Sequence, residues 1–110
     1  MSRTSAEREK IIKMMSRGDF EEIERMHAEW MRMEKAARAG WLMGERIRFN
    51  RLVNQFAQYI YNRGGFSNDD ERVYARKLLE ITETVDSEGQ KVVNDFANEA
   101  FKELFRNLLR

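Results

Sequence analysis

Glu24 and His27 stand three residues apart, the spacing that places two metal-ligating side chains on one face of a helix. A carboxylate-bridged metal centre needs a second such pair and further inward carboxylates, whereas His27 is the sole histidine of the chain. We therefore expect no metal and no cofactor, and a partly buried His27 with a hydrogen-bond partner. Nucleophilic chemistry fares no better. There is no cysteine, and neither Ser16 nor Ser67 has a spacing that pairs it with the one imidazole. Gly64-Gly65 lacks the pattern of a phosphate loop and reads as a helix stop. The carboxylate pairs Glu21-Glu22 and Asp69-Asp70 fall where helix starts favour negative charge. The residues predict a protein without enzymatic activity and without a small-molecule substrate.

Binding chemistry is better represented. No acidic residue lies between Glu45 and Asp69, while Arg46, Arg48, Arg51 and Arg63 supply positive charge. On a helical wheel Arg48, Arg51, Gln55, Gln58 and Asn62 share the polar face, and solvated faces usually mix signs for pairing one turn apart. Guanidinium groups bind phosphate as a bidentate fork, and neutral amides can meet sugar hydroxyls or base edges. Tyr59 and Tyr61 could add stacking. Arg46, Arg48, Arg51, Gln55, Gln58 and Arg63 are thus the expected nucleic-acid contacts, with RNA favoured over DNA. The stretch Glu45-Arg46-Ile47-Arg48-Phe49, followed by Val53-Asn54, resembles the arginine-bearing helix of some small helical subunits of CRISPR effector complexes. That resemblance implies a non-catalytic subunit lining nucleic acid.

A second surface is marked by soft apolar residues. All seven methionines and both tryptophans lie within the first 43 residues. Flexible thioethers and indoles suit partner binding. Trp30, Met31, Trp41 and Met43 form one expected protein interface, and Leu104, Phe105, Leu108 and Leu109 near the C-terminus form another. Under this alternative reading the protein is an inhibitor or adaptor of the type encoded by phage and mobile elements, acting through its N-terminal half and its last helix.

Charge is unevenly spread over these elements. Seven bases against two acids between Trp30 and Arg63 give +5, and ten acids against five bases between Ser67 and Glu103 give −5. The chain has 110 residues, no proline and six glycines, which favours long helices in one domain over 1–110. No signal peptide or membrane span is expected, and a cytoplasmic location follows.

Capping-box patterns at Thr4/Glu7, Asp19/Glu22, Ser87/Gln90 and, more loosely, Ser67/Asp70 mark helix starts. Stops are read at Gly18, Gly40, Gly64-Gly65 and the Asp86–Gly89 turn. The expected architecture is all-α, a compact bundle of helices at 5–17, 20–39, 42–63, 68–85 and 88–109 with the C-terminal helix central. Gly40 and Gly44 leave open whether the second and third helices are continuous. Apolar pairs at Val92-Val93, Phe96-Ala97, Ala100-Phe101, Leu104-Phe105 and Leu108-Leu109 recur every four residues, so a helix through them has an apolar arc that winds around its axis. Such an arc argues against a straight zipper and for a homodimer or a larger assembly, with the Leu104–Leu109 end the expected contact.

Overall fold

The computed structural model describes residues 15–93 and 96–110, the side chains of 96–98 excepted. Within these residues there are five helices: α1 (Arg17–Arg32), α2 (Lys35–Gly44), α3 (Arg46–Arg63), α4 (Asp69–Thr82) and α5 (Phe96–Leu109). The all-helical bundle is as expected. The helix expected over 5–17 and its Thr4/Glu7 cap lie outside the described residues, apart from its last three positions.

Where the helices begin and end differs from the expected punctuation. α1 starts at Arg17 because Ser16 is its cap, accepting from the Asp19 N–H at 3.2 Å while the Asp19 carboxylate accepts from the Ser16 N–H at 3.0 Å. Asp19 is thus the third residue of the box rather than its first, and Gly18 sits inside the helix. The helix expected at 20–39 is two helices, broken where Met33 and Glu34 turn extended (ψ 149° and 146°). The break is held by the Trp30 carbonyl, which accepts from the Met33 N–H at 3.3 Å and from the Arg38 Nε at 2.8 Å. Gly40 stops nothing and lies inside α2.

The junction between α2 and α3 is a single residue, Glu45. Its N–H donates to the carbonyls of Trp41 and Leu42, and its own carbonyl accepts from the Phe49 N–H at 2.8 Å. Four-residue bonds on both sides of Glu45 carry the chain onward with a local irregularity rather than a turn. α3 therefore starts at Arg46, not 42, and its stop is Gly64, which takes the left-handed conformation (φ 78°) that side chains with a Cβ disfavour.

α4 is capped by Asn68, whose side chain accepts from the Glu71 N–H at 3.0 Å, in place of Ser67. It ends at Thr82, three residues before the expected limit. The largest correction follows it. Residues 85–91 form a tight turn closed by an isolated antiparallel bridge between Val85 and Lys91. Asp86 organises this turn, its carboxylate accepting from the N–H groups of Glu88 (2.8 Å) and Gln90 (3.0 Å), with Gly89 at φ 79°. Ser87 and Gln90 cap no helix, and the last helix begins at Phe96, not 88. Val92 and Val93 precede it, so the winding apolar arc is not the property of one helix.

The core follows from the apolar spacing of α3. Phe49, Leu52, Val53, Phe56, Ala57 and Ile60 are all buried, and this helix supplies the largest share of the interior. α5 packs over α3 and α4, and α1 lies along α4. Phe20 joins three elements, with its ring 6.0 Å from that of Phe56 and 5.0 Å from that of Tyr74.

Candidate interaction surfaces

The arginines expected on one free face are largely drawn into ion pairs with other elements. Glu22 of α1 reaches Arg48 at 2.7 Å and Arg51 at 3.7 Å, and Glu45 meets Arg48 at 3.3 Å. The close Arg48 Nε approach is an ion pair without hydrogen-bond geometry. Arg51 also donates to Gln55 at 3.3 Å, and Gln58 donates to Asn62 at 3.0 Å, so these amides are engaged one turn along. Arg46 is exposed at the start of α3.

Arg63 is set apart from this group at the far end of the helix. It pairs with Glu71 at 2.8 Å and lies over the Tyr59 ring, to whose hydroxyl it also donates. Glu71 is buried, and its other oxygen accepts from the Ser67 N–H (2.7 Å) and hydroxyl (2.8 Å). Every oxygen of this carboxylate has a donor, so the cluster reads as a structural clamp on the α3–α4 corner. Burial, and then the Glu71 carboxylate, hold the Tyr59 hydroxyl above the ordinary tyrosine value of 10.0.

The expected protein-interface residues divide into three groups. Met31 and Met43 are exposed. Trp30 and Trp41 are half-buried, packed against the core. At the C-terminal end Phe105 is a core residue whose ring lies 5.4 Å from that of Phe56, so it cannot meet a partner directly. Leu104, Leu108 and Leu109 are half-buried, the last two packed on the core.

Sequence reading missed three features. Among the described residues Ile47, set between Arg46 and Arg48, is the most exposed large apolar side chain, at 88%. Together with Met43, one turn earlier and 60% exposed, it forms an apolar projection across the Glu45 junction. Gly40 and Gly44 belong to the same exposed stretch, and a methyl group built on either meets nothing within 4 Å. The second feature is the Trp30 surround: its indole N–H donates to the Thr84 hydroxyl at 2.8 Å, the Arg38 guanidinium lies over its ring at 3.8 Å, and His27 stacks beside it. The third is Lys102, buried within the apolar pattern of α5 and paired with Glu99. Only the identity of Ile47 was available as a signal, and its spacing from Phe49 and Leu52 could have placed it off the core face.

His27 Nε2 donates to the Glu80 carboxylate, 2.9 Å away, and Glu24 faces Lys77 at 3.9 Å. Among the described residues no group of three histidine, cysteine or carboxylate side chains is placed to hold a metal, and no helix is long and apolar enough to cross a membrane. Comparison with protein-family models, with curated proteins and with solved structures returned no match.

Proposed function

We propose that this chain is a non-catalytic helical binding protein whose target is another protein, engaged by the outer face of α2 and α3. The observation that carries this reading is the exposure of Ile47 and Met43 on a face where the helix also carries two glycines. A helical glycine costs about 0.5–1 kcal/mol relative to alanine. Among the described residues nothing comes close enough to Gly40 or Gly44 to require the missing Cβ. Small residues beside exposed apolar ones let a partner backbone approach closely, and the apolar side chains then lose their water. A photo-crosslinking residue placed at position 47 in cells of the source is the direct test. A crosslinked polypeptide that survives nuclease treatment, and that disappears when Met43 is changed to glutamate, is the expected result. Crosslinks only to nucleic acid would overturn the reading.

Contact with RNA is the second reading, supported by exposed Arg46 and by Arg51, whose side chain keeps about half of its surface open. Pairing of Arg48 and Arg63 to carboxylates leaves this footprint small. Anisotropy of a labelled RNA oligonucleotide at low salt tests it. A binding signal lost in Arg46→Glu with Arg51→Glu, and falling steeply with salt, would favour RNA.

A further inference from the structure

We propose that the cleft beside Trp30 is a binding site for a carboxylate carried on an apolar group. The cleft has a volume of about 410 Å³ and lies where the end of α1, the start of α2 and the segment after α4 meet. Its floor is rigid, because the Trp30 indole is tied to Thr84 on one edge and covered by Arg38 on one face. Val85, half-exposed, also lines the cleft and supplies a second apolar surface.

The charge available inside the cleft is positive. Two of its lining residues are acids; Glu83 is neutralised from outside the cleft and Glu80 is hydrogen-bonded to His27, so the bases Lys35 and Arg38 outnumber the one remaining acid. Glu80 faces His27 at 2.9 Å, and Glu83 is held between Lys91 at 3.1 Å and Arg106 at 3.0 Å. Among the described residues Arg38 spends only its Nε, donated to the Trp30 carbonyl, which leaves both terminal amines of the fork. Lys35 stands at the rim, and among the described residues neither it nor Arg38 forms an ion pair with a carboxylate. A planar guanidinium fixed by stacking and by one hydrogen bond is pre-organised for a carboxylate, which it binds with two parallel bonds. The neighbouring indole edge and Val85 accept an apolar body of the size of a leucine or phenylalanine side chain.

A peptide C-terminus and a small organic acid share this chemistry. The test titrates 15N-labelled full-length protein with N-acetyl-phenylalanine, with its carboxamide, and with 4-phenylbutyrate, following the Trp30 indole resonance assigned with Trp41→Phe. A saturable shift with the acids, at least tenfold weaker with the carboxamide, is expected. Tighter binding of the peptide acid than of phenylbutyrate assigns the ligand to a polypeptide, and the reverse assigns it to a small molecule; both support the site. Arg38→Met and Lys35→Met should each weaken acid binding, the second keeping the Trp30 carbonyl contact intact as a folding control. The site lies apart from the Met43–Ile47 projection, so Ile47→Glu should leave acid binding unchanged and the two readings fail separately. Equal binding of acid and carboxamide, or no shift up to about 10 mM ligand, would overturn the proposal.

Discussion

The Trp30 indole N–H donates to the Thr84 hydroxyl at 2.8 Å, and that hydroxyl donates in turn to the Ile81 carbonyl at 2.7 Å. One side chain therefore links the end of α1 to the end of α4 across 54 positions of sequence. Thr84 is buried, and its hydroxyl is engaged on both sides by these two bonds.

Thr84→Val should cost about 1 kcal/mol, the loss of a hydrogen bond from a part-buried donor. Trp30→Phe in the same background should cost less than in the wild type, because the donor is then absent. Urea unfolding of both single variants and the double variant measures that coupling.

The clamp at Glu71 predicts the largest single loss. Glu71→Ala removes a buried carboxylate that satisfies Arg63 and the Ser67 N–H and hydroxyl. Removing this charged acceptor while Arg63 can still reach water costs about 2–3 kcal/mol. Thermal unfolding followed by circular dichroism should show a marked fall in Tm, with Ser67→Ala much milder.

Glycine substitutions should separate stability from binding. Gly40→Ala is expected to raise stability by about 0.5–1 kcal/mol, since the helix gains propensity and the methyl enters open space. Gly64→Ala should lower it by about 1 kcal/mol, because φ 78° strains any residue with a Cβ. If Gly40 serves close approach of a partner, the same stabilised variant should lose its crosslink at position 47.

Both ends of the pH range carry a signed expectation. Tyr59 and Tyr74 are raised above 10.0, mainly by burial. A raised folded value favours the protonated form, so this stabilisation is complete below pH 10 and is lost as pH climbs through the folded values. Glu99 is lowered below 4.5, chiefly by its hydrogen bond from Lys102. Its contribution is present above that value and is lost as pH falls through the depressed one. Phenolate absorbance at 295 nm and unfolding at graded acid pH check the two limbs, with Tyr59→Phe and Glu99→Gln as controls.

Much of the interior was legible from spacing alone. Phe49, Leu52, Val53, Phe56 and Ile60 recur at helical spacing and form one buried face, because a helix turns residues at these intervals onto the same side. The stop at Gly64 was equally plain, since a left-handed residue is most readily glycine. Caps were harder. Ser16 and Asp19, or Ser67 and Asn68, offer competing oxygens within three residues, and the choice depends on where the helix axis must point to pack.

Composition and periodicity by themselves determined that the chain folds as helices with α3 buried along one side, because both are short-range consequences of propensity and of 3.6 residues per turn. Which charges stay free was decided only by tertiary structure. Glu22 was read as part of a helix start, yet it neutralises Arg48 and Arg51 from another helix. Arg38 was one charge in a basic run until α2 folded back over Trp30. Ion pairing and stacking act over a few ångströms between elements distant in sequence, and no local pattern encodes those distances.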